Sequence, residues 1–214
     1  MEEHKDKIKK IKQEVYLLFK ENTKNEYLNP DWIFPNHLDI MSDLVKNMCK
    51  KYGGDILICE LSVLLHDVGL VYKRETPSPE GHEKRSIEYA KDILKRNKIT
   101  KEISDEVIEC IASTEKDENE KPKSLNAKIL KTADILSQFI SIHYFAKASF
   151  FNNWEFFVEW MRDRIESCYG KICFEDERKI AKPIKDFMIN AIELYDKYKK
   201  NYPLDFNEKG KRRN

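Results

Sequence analysis

His66 and Asp67 close the least polar stretch of this sequence. Leu57, Ile58, Leu61, Val63, Leu64 and Leu65 leave that stretch almost no hydrophilic face, which predicts a helix over 56–68 buried at the centre of the molecule. A carboxylate carried into a core costs several kcal/mol unless it is paired, hydrogen-bonded or bound to a metal. Adjacent residues on a helix point about 100° apart, so the two side chains can share one partner only near a helix end. Gly69 supplies backbone freedom two residues later. An ordinary explanation also exists: a histidine favoured by the helix C-terminus, followed by an aspartate bonded to nearby backbone N–H groups.

Two further residues have the types that would complete a site. His37 falls in the first turn of a helix and shares a face with Met41, Leu44 and Met48. By itself it reads as a core histidine with its hydrogen bonds met. Asp134 lies mid-helix, where aspartate is a poor helix former and can cap nothing. Its neighbours Leu130, Lys131, Ser137 and Gln138 make a half-polar stripe, which fits either a solvated aspartate or a carboxylate at the lip of a pocket. Two imidazoles and two carboxylates together would suit a borderline or hard divalent ion: manganese, iron, cobalt, nickel or magnesium. They would leave open positions on an octahedral ion, as a catalytic site needs.

The elements that must position these groups are helical throughout. Ile8, Ile11, Val15 and Leu18 predict a helix over 3–21. Residues 22–35 read as a connector. Asn36, with Asp39 three residues on, predicts a capped helix start that runs to Gly53-Gly54. Asp55 caps the apolar helix. Helices follow over 82–97 (Ile87, Ala90, Ile93, Leu94), 101–115 (Ile103, Val107, Cys110, Ile111) and 124–151 (Ile129, Ala133, Leu136, Ile140). Asn152-Asn153 interrupts the last of these. Trp154 to Gly170 and 175–200 complete the chain, with a break or kink expected at Pro183. The fold class is all-α, with no repeat, no βαβ pattern and no glycine-rich phosphate loop.

The 214 residues fit a single helical domain. Lys+Arg at 39 against Asp+Glu at 38 leaves a net charge of +1, which gives no nucleic-acid footprint. The basic Lys209–Arg213 cluster reads as a solvated tail. Five cysteines without a CxxC pair argue for a reducing compartment and against a thiolate zinc site. The charged N-terminus lacks a signal-peptide pattern, and no apolar run approaches the roughly 20 residues that span a bilayer. A soluble, cytoplasmic protein without membrane contact is expected.

The order His37, His66-Asp67, Asp134 resembles the H…HD…D signature of the HD-domain superfamily of metal-dependent phosphohydrolases. Asn36-His37-Leu38-Asp39-Ile40 is similar to that family's first-histidine helix start, and Leu64-Leu65-His66-Asp67-Val68-Gly69 to its apolar-HD-x-G segment. Lys131-Thr132-Ala133-Asp134-Ile135-Leu136-Ser137 resembles its final-aspartate helix. The resemblance covers about 30–145. It implies an HD-type helical bundle with additional N- and C-terminal helices, the latter a C-terminal extension over 150–200. It also implies one divalent metal on His37, His66, Asp67 and Asp134, with Asp67 or Asp134 holding the attacking water.

Gly81-His82-Glu83 resembles a second histidine element found in some branches, so His82 is either an additional ligand or phosphate contact, or a solvated residue. Lys73, Arg74, Arg85 and Lys131 are candidates to neutralise phosphate, with solvated surface the default reading for any one of them. The chain departs from binuclear branches, with Ile111-Ala112-Ser113-Thr114 where another histidine would stand. Leu70-Val71-Tyr72 carries neither the lysine of the HD-GYP branch nor the acidic pair of (p)ppGpp hydrolases. The resemblance therefore implies a mononuclear enzyme acting on a nucleotide or another small phosphate ester. A regulatory, non-catalytic HD domain is the alternative, and the complete ligand set favours the enzyme. A third option is a helical interaction module built on Phe150, Phe151, Trp154, Phe156, Phe157 and Trp160. Core packing is the default for these aromatics; a homodimer contact or a roof over the pocket are alternatives.

Overall fold

The computed structural model describes residues 2–22, 28–71, 81–115, 122–141 and 154–201, and these are helical with short connections. Lys73, Arg74, His143, Phe150 and Phe151 lie outside the described residues, as do 142–153, where the long sixth helix was expected to continue and be interrupted.

Helix α1 (Glu2–Asn22) buries Ile11, Val15 and Phe19 completely, a four-residue spacing that keeps one stripe inward. Helix α2 (Pro30–Ile33) starts where a connector was expected. Asn29 caps it by accepting from the Asp31 N–H, and Pro30 occupies the first helical position, where its missing N–H costs nothing. The chain then passes without a break through a π-helical turn, Phe34–Leu38, into α3 (Asp39–Tyr52). The expected capping box at Asn36 therefore does not form. Asn36 lies inside continuous helix, and its side-chain amide donates to the Trp32 carbonyl at 2.8 Å. The wide turn closes through the Asp39 N–H on the Phe34 carbonyl and carries Phe34, His37 and Leu38 inward.

Gly53, at φ 90°, ends α3 in the left-handed region that a side chain disfavours. Asp55 caps α4 (Ile56–Leu65) as expected, accepting from the N–H groups of Leu57 and Ile58 at 2.8 and 3.1 Å. Every residue of α4 after Ile56 is buried. Its one carboxylate, Glu60, is met by the Ser42 hydroxyl at 3.0 Å and the Lys46 ammonium at 2.9 Å. A 3₁₀ turn, Val68–Leu70, follows His66 and Asp67.

Helices α5 (His82–Arg96) and α6 (Lys101–Glu115) pack on α4 through Ala90, Ile93, Leu94, Val107, Cys110 and Ile111. Helix α7 (Leu125–Ile140), capped by Ser124, runs through the middle between α3, α4 and α6. One hydrophobic core joins α1 to the first half of α7. A second gathers Leu136 and Phe139 of α7 with Val158, Met161 and Ile165 of α8 (Trp154–Gly170) and Ala181, Met188 and Ile192 of α9 (Glu175–Asn201). The break expected at Pro183 is not seen, because its ring faces solvent, where water can serve the carbonyl left without an N–H. All five cysteines are free. No described helix is long and apolar enough to cross a membrane.

Candidate metal centre

Four of the residues singled out in the sequence meet at one point. His37 comes from the π turn, His66 and Asp67 from the end of α4, and Asp134 from the middle of α7. One ligand atom each from His37, His66 and Asp134 lies within 4.8 Å of the others. Asp67 adds a fourth donor, its Oδ2 standing 3.5 Å from His37 Nε2 and 3.3 Å from His66 Nε2. Asp134 Oδ1 is 3.5 Å from His37 Nε2. The imidazoles are almost fully buried, while the Asp67 and Asp134 side chains are 16% and 22% exposed. The carboxylates thus form the solvent side of the cluster.

Hydrogen bonds on the far side of each ring fix which nitrogen faces inward. His66 Nδ1 lies 2.9 Å from the Val63 carbonyl, an acceptor only, so that nitrogen carries a proton. His37 Nδ1 lies 2.8 Å from Ser137 Oγ. The Ser137 hydroxyl donates to the Asp134 carbonyl at 2.7 Å, so it accepts from His37. Both Nε2 atoms thereby face the carboxylates, the arrangement that outer hydrogen bonds give to metal-binding histidines. His66 Nε2 is buried without a hydrogen-bond partner. The 3.3 Å approach of Asp67 is an ion-pair distance lacking the alignment of a hydrogen bond. An orphaned imidazole nitrogen beside two carboxylates fits a divalent cation.

The electrostatics agree. Burial works against a charged His66, yet Asp67 and then Asp134 raise its pKa from 6.5 to about 9. Burial also works against charge on Asp67, and His66, His37 and His82 overcome it, holding the carboxyl well below its usual range. The cluster draws positive charge, and in the absence of metal a proton on His66 supplies it.

The remaining candidates divide. His82, the first residue of α5, reaches the cluster: its Nε2 is 3.5 Å from Asp67 Oδ1, whereas His37 and His66 approach Oδ2. Arg85 Nε donates to the Gly69 carbonyl at 3.0 Å. Lys131 is buried with its ammonium 3.4 Å from the Ser113 carbonyl, and burial, then Lys171, lowers its pKa. Asp134 Oδ1 also accepts from the Gln138 amide at 2.8 Å. Ser137 was missed as a functional residue, although its place three residues after Asp134 puts it on the same helix face. A surface cleft of about 570 Å³ between α5 and α6, lined in part by Lys91, Lys95 and Lys101, shares no residue with this centre.

Gly69 serves a different purpose from the one expected. It has no positive φ. A β-carbon there would meet the His82 carbonyl oxygen at 2.1 Å and the Ser86 nitrogen at 2.6 Å, so its value is the close approach of α5.

Comparison with known proteins bears on the fold that carries this centre. Residues 36–138 match the family model of the HD domain. The crystal structure of Bacillus subtilis YpgQ in complex with ADP is similar at a TM-score of 0.59 and 19% identity, over 94% of this chain and 97% of that one. A predicted HD superfamily hydrolase from an uncultured Thermotogales bacterium is similar at a TM-score of 0.55 and 19% identity, over 86% and 90% of the two chains. Among curated proteins none matches significantly. Running from the π turn that carries His37 to the face of α7 that carries Asp134, residues 36–138 of this all-α chain are an HD domain.

Proposed function

We propose that the protein is a metal-dependent phosphohydrolase acting on a nucleotide or another small phosphate ester, with one divalent ion held by His37, His66, Asp67 and Asp134. The observation that carries this reading is the pair of buried imidazoles. Each is locked by its Nδ1 and directs its Nε2 at two carboxylates that still touch solvent. A purely structural cluster would satisfy His66 Nε2 within the protein, whereas this one leaves it orphaned.

When bound, a divalent ion supplies Lewis acidity, polarising a phosphoryl oxygen and acidifying water. The chain's own residues do the rest. Ser137 and the Val63 carbonyl hold the ligand nitrogens in one tautomer. Asp67 and Asp134, at the solvent side, accept the hydrogen bonds of the attacking water and orient it. His82 stands at the rim, against Asp67 Oδ1, where substrate must enter. Lys73 and Arg74, which follow the HD pair in sequence, neutralise the phosphate; Arg85 and Lys131 are turned toward backbone carbonyls. The ADP bound by the structurally similar YpgQ supports a nucleotide as substrate.

The test is phosphate and pyrophosphate release from nucleoside mono-, di- and triphosphates and from p-nitrophenyl phosphate, with manganese present. Turnover is expected for the wild type and absent from Asp67→Ala, with helicity unchanged in both. Metal and nucleotide binding without turnover on any of these would move the protein to the regulatory class.

A further inference from the structure

We infer that Ser86 and Arg85 are positioning residues of this centre, forming with Gly69 a clasp that sets His82 against Asp67; the inference rests on the metal-centre reading above. Both polar groups of Gly69 are taken by α5. Its N–H donates to Ser86 Oγ at 2.9 Å, and its carbonyl accepts from Arg85 Nε at 3.0 Å. Gly69 follows directly on the Asp67–Val68 segment, and the Leu70 N–H closes the turn on the Asp67 carbonyl at 2.9 Å. Whatever holds Gly69 therefore holds the backbone of Asp67.

The spacing on α5 completes the device. Residues 82, 85 and 86 are separated by three and four, so they lie on one face of the helix. His82 points to Asp67 while Arg85 and Ser86 grip the glycine beside it. Two bonds on one face fix the rotation of α5 about its axis as well as its distance. A turn of one residue, about 100°, would carry His82 away from the carboxylate. Ser86 is completely buried, and Gly69 leaves no room for even a β-carbon, so the contact is backbone against backbone. His82 itself is 21% exposed, on the first turn of the helix that this clasp seats.

The experiment uses the full chain loaded with cobalt(II) and reads the hyperfine-shifted imidazole signals by NMR; five histidines keep the spectrum assignable. His82 is assigned by the signal lost in His82→Gln. In Ser86→Ala, and in the more peripheral Arg85→Met, the His82 signal is expected to lose most of its hyperfine shift while those of His37 and His66 stay in place. Arg85→Lys, which keeps a donor, is expected to recover part of it. An unchanged His82 shift in both Ser86→Ala and Arg85→Met would overturn the inference. Equal loss at His37, His66 and His82 would overturn it too, because the clasp would then be general scaffolding. Failure of the wild type to take up cobalt is a different result, which removes the metal centre itself.

Discussion

Ser137→Ala tests how the centre is organised without touching a proposed ligand. The hydroxyl is completely buried, accepts from His37 Nδ1 at 2.8 Å and donates to the Asp134 carbonyl at 2.7 Å. Its removal leaves a buried imidazole N–H without an acceptor, at a cost of about 1–3 kcal/mol. The imidazole also becomes free to move its proton to Nε2, the nitrogen that must donate its lone pair. Loss of such outer partners typically weakens metal binding roughly 10- to 100-fold, or about 1.4–2.8 kcal/mol at 1.4 kcal/mol per factor of ten. Calorimetric titration with manganese(II) measures the second quantity, and guanidinium denaturation of the metal-free protein the first. Ser137→Thr keeps the oxygen and should retain most of the affinity. If Ser137→Ala binds manganese within about twofold of the wild type, the orientation argument is wrong.

Other expectations follow from the same geometry. His66 has its pKa raised to about 9 from 6.5, so the metal-free native state binds a proton there that the unfolded chain releases earlier. The stability from this pair is fully present below about 6.5 and is lost as pH rises through about 9, which denaturation at pH 7, 8 and 9.5 would reveal. Because metal displaces that proton, manganese affinity should rise about tenfold per pH unit between about 7 and 9, and a flat profile would contradict the assignment. Gly69→Ala introduces no forbidden φ, so its expected destabilisation of about 1–3 kcal/mol comes from collision with the α5 backbone. A loss below about 0.5 kcal/mol in denaturant would mean that the contact gives way easily. Asp55→Ala removes both bonds of the α4 cap and should cost about 1 kcal/mol, read as a fall in the denaturation midpoint.

The ends of α4 were the most legible part of the sequence, for a physical reason. Asp55 before an all-apolar run reads as a cap, and His66-Asp67 at its far end stands out by polarity, although that pair alone fits an ordinary helix end as well as a ligand pair. Asp134 was ambiguous because a carboxylate that is partly exposed leaves the same pattern as a solvated one. The spacing of Ser137 from Asp134 puts it on the right face but does not reveal its role, since its contribution is a contact with His37, a hundred residues away in sequence. Asn36 was misread because a π turn has no hydrophobic period of its own and so resembles a helix start. Gly69 was singled out for backbone freedom, whereas its contact is with an element that local sequence does not show. Pro183 looked like a breaker because exposure, which decides whether its lost hydrogen bond matters, is a tertiary property.

The central claim is that His37, His66, Asp67 and Asp134 hold a divalent ion, and metal content measures it most directly. Tag-free wild type, Asp67→Ala and His66→Ala would be reconstituted in turn with manganese, iron, cobalt, nickel and magnesium at pH 8, then analysed for bound metal. About one ion per wild-type chain is expected for at least one metal, with the content lost in both variants while their helicity is retained. No bound ion with any of the five, or equal content in wild type and variants, would contradict the account.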